Sequence, residues 1–133
     1  VAGIRFLSIE DVLQIQQDTI AIEGGLAGLR DAGLLASAVM MPQQQFDGSY
    51  LHDGLAAMAA AYLFHLSQNH AFIDGNKRAA VMSALIFLDV NGVETLPAPE
   101  ALEGITLAVA AGGIRKPELT GWMRAQTGDP SSP

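Results

Sequence analysis

The chain contains no cysteine. Disulfides, thiolate catalysis and cysteine-ligated zinc are therefore excluded. A reducing cytoplasm is compatible with this composition, and it is the expected location. Positive charge is scarce: seven Lys and Arg stand against fourteen Asp and Glu, a formal net charge of −7. No nucleic-acid partner is expected, because neutralising a phosphate backbone needs a basic face. Long hydrophobic runs are also missing. The longest, Gly54 to Leu66, falls short of the roughly 20 residues a membrane helix needs, and Ser67, Gln68 and Asn69 follow it. No membrane association is expected. The opening residues show neither a basic start nor a small-residue cleavage site, so no signal peptide is expected. Aromatics make up only 6% of the chain, whereas half of it is apolar and mostly Ala, Leu, Ile, Val and Met. That balance favours an all-α fold over a β-sandwich.

What is present fits one domain of ordinary size, with 133 residues in all. Residues 1–127 read as a single helical domain and 128–133 as a disordered tail. Ser8-Ile9-Glu10-Asp11 resembles a capping box with Asp in place of Glu. Ile9, Val12, Leu13, Gln16 and Ile20 then follow helical spacing with one polar interruption. Glu23-Gly24-Gly25 and Gly28 read as a loop. A short helix is predicted from about Asp31 to Met41, stopping before Pro42. Gln43 to Asp53 is polar and reads as an exposed loop or flap that carries Phe46 and Tyr50.

Two segments, Gly54 to Asn69 and Lys77 to Val90, are apolar on every face, which predicts two buried central helices. Asn91-Gly92 ends the second, with Gly92 suited to a left-handed cap. Val93 to Leu96 reads as a short connector, with an extended stretch as one form it can take. Further helices are predicted from about Pro99 to Ala111 and from near Pro117.

Between the two buried helices lies His70-Ala71-Phe72-Ile73-Asp74-Gly75-Asn76-Lys77-Arg78. The start of a helix presents unpaired N–H groups with partial positive charge, a ready anion site. Gly75 permits close backbone approach. Asn76 can cap the helix or donate to a phosphate. Lys77 and Arg78 add full charge at a helix end where cations are otherwise unfavourable, and Arg can grip phosphate with two parallel bonds. Asp74, which alone reads as a turn or cap residue, could hold Mg²⁺ beside phosphate oxygens. His70, alone a helix-end histidine, is a base with a near-neutral ordinary pKa. Together they point to phosphoryl or nucleotidyl transfer to a hydroxyl.

The segment resembles the Fic/Doc signature H-x-F-x-D/E-G/A-N-G/K-R at every signature position. Gly24-Gly25, Gly28, Arg30-Asp31 and Gly33-Leu34-Leu35 resemble the G-G-x-x-G-x-R-D-x-G-L-L stretch of the Doc, or death-on-curing, branch, as do Phe87-Leu88 and Asn91-Gly92. The resemblance implies a compact Fic/Doc-like helical domain whose two central helices flank the active loop. It implies His70 as general base, Phe72 as the apolar anchor of the loop, Asp74 as the Mg²⁺ ligand, and Gly75, Asn76, Lys77 and Arg78 as phosphate holders. Nucleotidyl-transferring members usually carry G-N-G-R and a second Arg three residues on, where this chain has Lys77 and Val81. The Doc branch is therefore favoured, in which ATP binds reversed and its γ-phosphoryl group moves to a threonine of elongation factor Tu, stopping translation. An antitoxin whose segment folds on binding is the implied regulator. AMP transfer and a non-catalytic nucleotide- or partner-binding module are the alternatives.

Thr19-x-x-x-Glu23-Gly24 matches the S/T-x-x-x-E-G/N pattern of self-inhibited Fic proteins, in which Glu pairs with an active-site arginine and blocks productive ATP binding. Chance is the alternative for so short a pattern. Phe46 and Tyr50 either form a flap for a protein target or pack back on the domain. His52 has no assigned role. His65 reads as structural, since it does not share a helix face with His70, and no zinc-binding H-E-x-x-H spacing occurs.

Overall fold

The structure, a computed structural model, describes residues 3–128. The expected tail lies outside them from residue 129 on. Helix α1 (Ile9–Glu23) opens on the expected box: Asp11 N donates to Ser8 Oγ at 3.0 Å, and Ser8 N donates to Asp11 Oδ2 at 2.8 Å. Such a cap stabilises a helix by about 1 kcal/mol. α1 buries Val12, Ile15, Gln16 and Thr19 along one face. Asp31 caps α2 (Ala32–Met40) by accepting from Leu34 N, and a short 3-10 turn, Met41–Gln43, follows with Pro42 buried.

The flap is a β-hairpin. β1 (Gln45–Phe46) and β2 (Ser49–Tyr50) pair antiparallel, Gln45 opposite Tyr50 and Phe46 opposite Ser49. Asp47 and Gly48 both have positive φ, the geometry a two-residue hairpin turn demands.

Helices α3 (Leu55–Asn69) and α4 (Asn76–Val90) form the predicted central pair. Buried alanines let them approach closely: Ala56, Ala57, Ala59, Ala60 and Ala61 on α3, and Ala79, Ala80 and Ala84 on α4. α3 also packs on α2, α5 (Pro99–Ala110) and α6 (Lys116–Thr127), while α4 packs on α1 and α5. Tyr62 and Phe87 are fully buried with ring centroids 5.1 Å apart. Each such side chain contributes roughly 1.5–3 kcal/mol of burial. Leu7 N donates to the Tyr62 hydroxyl at 2.9 Å, and burial pushes that hydroxyl up to about 12.

Asn91 ties the extended N-terminal segment to the end of α4, accepting from Arg5 N and donating to Arg5 O. Gly92 has the expected left-handed φ of 82°. Val93 to Leu96 contains bends rather than a strand. Pro117 sits one residue inside α6, which starts at Lys116.

Candidate active site

The loop from His70 to Gly75 joins the end of α3 to the start of α4. His70 terminates α3 in the left-handed region, φ 50° and ψ 47°. For a non-glycine residue that costs roughly 1–2 kcal/mol, so neighbouring contacts must hold it. They come from the segment between α1 and α2. Arg30 Nε donates to His70 O at 2.8 Å. Arg30 N and Asp31 N both donate to Ala71 O, at 2.7 and 3.0 Å. Leu29 forms an antiparallel bridge with Phe72, and Ile73 N donates to Gly28 O at 3.1 Å. Phe72 is buried in the core.

Asn76 differs from the phosphate-donor expectation. Its Oδ1 accepts from Phe72 N at 2.9 Å and its Nδ2 donates to Phe72 O at 3.0 Å. The side chain thus closes the loop, much as a paired backbone group would. What Asn76 offers an anion is its backbone N–H, in the unpaired first turn of α4. It does not cap α4 by its side chain either; Gly75, at φ 74°, occupies the cap position.

Asp74 is exposed and fixed by three contacts. Its Oδ1 accepts from Gly75 N at 2.9 Å, its Oδ2 accepts from Leu26 N at 3.2 Å, and its carbonyl accepts from Gln16 Nε2 at 3.2 Å. The Gly-Gly stretch explains this approach. A Cβ on Gly25 would stand 2.8 Å from Asp74 Oδ2, at a φ of 113° that side chains rarely adopt. Each carboxylate oxygen keeps lone pairs beyond its one N–H partner. The group therefore fits a Mg²⁺ ion that takes one protein carboxylate and phosphate oxygens. No cluster of three or more His, Cys, Asp or Glu able to hold a metal occurs among the described residues.

A cavity of about 370 Å³ opens beside the loop, lined by Glu23, Asp74, Gly75, Asn76, Lys77, Arg78, Val81, Glu103, Thr106 and Leu107. All five of the predicted phosphate and metal residues thus line one cavity. His70 is exposed and does not line the cavity. Arg78 is held from two sides, Nη2 at 2.9 Å from Glu23 Oε1 and Nη1 in an ion pair with Glu103. The short pattern around Glu23 thus ends on the signature arginine. Lys77 is exposed.

The hairpin divides the two flap candidates. Phe46 is 75% exposed, whereas the Tyr50 ring packs on Phe6 with centroids 5.6 Å apart. Tyr50 therefore belongs in part to the domain's own packing.

Three contributors escaped the sequence reading. Gln16 had a signal: it is the polar interruption in an apolar stripe, and it is 2% exposed because it serves the loop. Arg30 stood in the quoted motif without a role. Glu103 had no signal, since its pairing joins α5 to α4 across 25 residues.

A profile described as the Fic/DOC family matches residues 6–88. The chain belongs to the Fic/DOC family. The Fic/DOC match takes in α1 to α3, the whole loop and α4 as far as Leu88, and ends before α5 and Glu103. Among Fic/DOC relatives, the "Protein kinase doc" of Escherichia phage P1 is 32% identical over 120 residues, which is 90% of this chain and 94% of that protein. The "Toxin Doc" of Mycolicibacterium smegmatis is 45% identical over 90 residues, 68% of this chain and 67% of that protein. Both relatives fall in the Doc branch, as does this chain. Among the described residues no helix is long and apolar enough to cross a membrane.

Proposed function

We propose that this protein is a Doc-type toxin kinase that moves the γ-phosphoryl group of ATP to a protein hydroxyl in the cytoplasm. The observation that carries the reading is the His70–Arg78 loop, complete at every signature position and braced between α3 and α4 with its cations and Asp74 on one cavity wall. The likeness to the phage "Protein kinase doc" supports it.

In this reading His70 takes the proton of the acceptor hydroxyl. The hydroxyl oxygen forms a bond to the γ-phosphorus as the β,γ-bridging P–O bond breaks, and ADP leaves. The N–H groups of Gly75 and Asn76, with Lys77 and Arg78, hold the phosphate oxygens. Mg²⁺ on Asp74 would supply charge neutralisation for those oxygens. The acceptor is a threonine of elongation factor Tu, whose modification stops translation, and Phe46 on the hairpin offers that protein an apolar contact.

An antitoxin is the regulating partner, and its amphipathic segment covers apolar groups near the site. Ile22, Leu26, Ile73 and Leu107 are each more than half exposed. Glu23 on Arg78 describes a resting state in which the phosphate grip is occupied.

The test incubates the protein with Mg²⁺, elongation factor Tu, and ATP labelled at the α or the γ position, with His70→Ala as control. Transfer of the γ label alone, lost in the control, is the expected result. Transfer of the α label makes the protein a nucleotidyl transferase. Absence of both, repeated with whole-cell lysate as acceptor, overturns the catalytic reading.

A further inference from the structure

Arg30 places three donors on three consecutive carbonyls of the active loop. Its Nε donates to His70 O at 2.8 Å, its Nη2 donates more weakly to Asn69 O at 3.5 Å, and its backbone N donates to Ala71 O at 2.7 Å. These carbonyls need partners from outside α3. The last C=O groups of a helix have none within it, and α3 ends on a histidine in the left-handed region, where glycine is usual.

The charge of Arg30 suits the same place. No basic residue lies in the last turn of α3, although a cation is favoured at that end of a helix. The guanidinium arrives there from the segment between α1 and α2. Among the described residues it forms no ion pair with a carboxylate, and Arg30 does not line the cavity that holds Asp74, Lys77 and Arg78. The other restraints on the loop are backbone bonds to residues 71 to 73: Arg30 N and Asp31 N on Ala71 O, the Leu29–Phe72 bridge, and Ile73 N on Gly28 O. A substitution at position 30 leaves all of them in place. It removes the grip on the carbonyl of the histidine itself.

We propose that Arg30 is the positioning residue for His70. By holding the carbonyls of residues 69 and 70 it fixes the backbone dihedrals of His70, and with them the direction in which the imidazole leaves the loop. This role rests on the reading of His70 as the base of the proposed transfer. A reacting group displaced by about 1 Å can cost on the order of a hundredfold in rate.

The experiment compares the unaltered chain with Arg30→Met, which keeps a long stem without donors, and Arg30→Lys, which keeps one point of donation. Transfer from γ-labelled ATP gives kcat and the KM for ATP, and NMR follows the backbone and imidazole signals of His70 with those of His65 as the internal control. Arg30→Met is expected to lower kcat by roughly ten- to a hundredfold with the KM for ATP unchanged, and to shift or broaden the His70 signals while those of His65 and the urea midpoint stay. Arg30→Lys should recover part of kcat. A raised KM with kcat intact would make Arg30 a substrate contact and overturn the proposal, as would unchanged kcat or unchanged His70 signals. If the unaltered chain transfers no label, the kinase reading fails, and the His70 signals alone decide whether Arg30 positions that residue. Should Arg30→Met not fold, Arg30→Lys carries the same comparison, with a several-fold loss of kcat expected and no loss overturning the proposal.

Discussion

Nη2 of Arg78 and Oε1 of Glu23 meet at 2.9 Å, tying the last residue of α1 to the first turn of α4. Glu103 occupies Nη1 of the same guanidinium. The two nitrogens that could grip a phosphate in parallel therefore each face a carboxylate. Both pairs are half-exposed, and such pairs are worth about 0.2–1 kcal/mol. Glu23→Gly and Glu103→Gln should each tighten ATP binding by roughly two- to fivefold, and more when combined. Titration calorimetry decides: weaker binding in the variants would mean that the carboxylates position Arg78 rather than compete for it.

His70 holds backbone strain in its left-handed conformation. His70→Gly should be more stable than His70→Ala by about 1 kcal/mol, because glycine adopts that backbone without penalty. Both should lack phosphoryl transfer. Urea unfolding of the two variants measures the difference, and equal stabilities would show that the loop relaxes once the imidazole is gone.

Gly25→Ala tests the cradle around Asp74. The added Cβ collides with the carboxylate at a positive φ, so a loss of roughly 1–2 kcal/mol in stability is expected. Mg²⁺-dependent ATP binding should weaken as well. Gly24→Ala, where a Cβ meets nothing within 4 Å, is the comparison, and it should leave the metal dependence intact.

The pH dependence of stability follows from His65. Its folded-state value of about 4 lies below the ordinary 6.5. Between those values the unfolded chain binds more protons than the folded one, so stability falls as pH drops through the window and levels off beneath it. His52, shifted in the same direction, adds to the slope. His65→Gln should flatten the fall relative to the unaltered chain, read from denaturation midpoints at each pH. Parallel curves would assign the acid sensitivity to His52 and the carboxylates instead.

Much of this was readable from local pattern. The Ser8 cap, the Asp31–Met41 helix and the two all-apolar central helices depend on near neighbours in the chain, and they formed within a residue or two of expectation. The Asp47-Gly48 turn was equally local, a hairpin signal beneath what read only as a flap. The residues of the loop were also plain from their spacing. Their supports were not. Gln16 reaches Asp74 across 58 residues, Arg30 reaches His70 across 40, and Glu103 reaches Arg78 across 25. Such partners depend on how helices stack, which helical periodicity does not encode. Asn76 shows the same limit in reverse: its type allowed a phosphate contact, but its distance from Phe72 directed it inward.

The bridge between Leu29 and Phe72 has a kinetic meaning. It joins two glycine-containing loops rather than two helices, and the residues on its 24–31 side are mostly exposed. Segments of that kind open at a fraction of the free energy of global unfolding. Amide protons of Arg30 and Ile73 should exchange well before those of α3 and α4. Warming would then let the 24–31 segment swing off the loop while the helical bundle stays folded, and inactivation would precede melting.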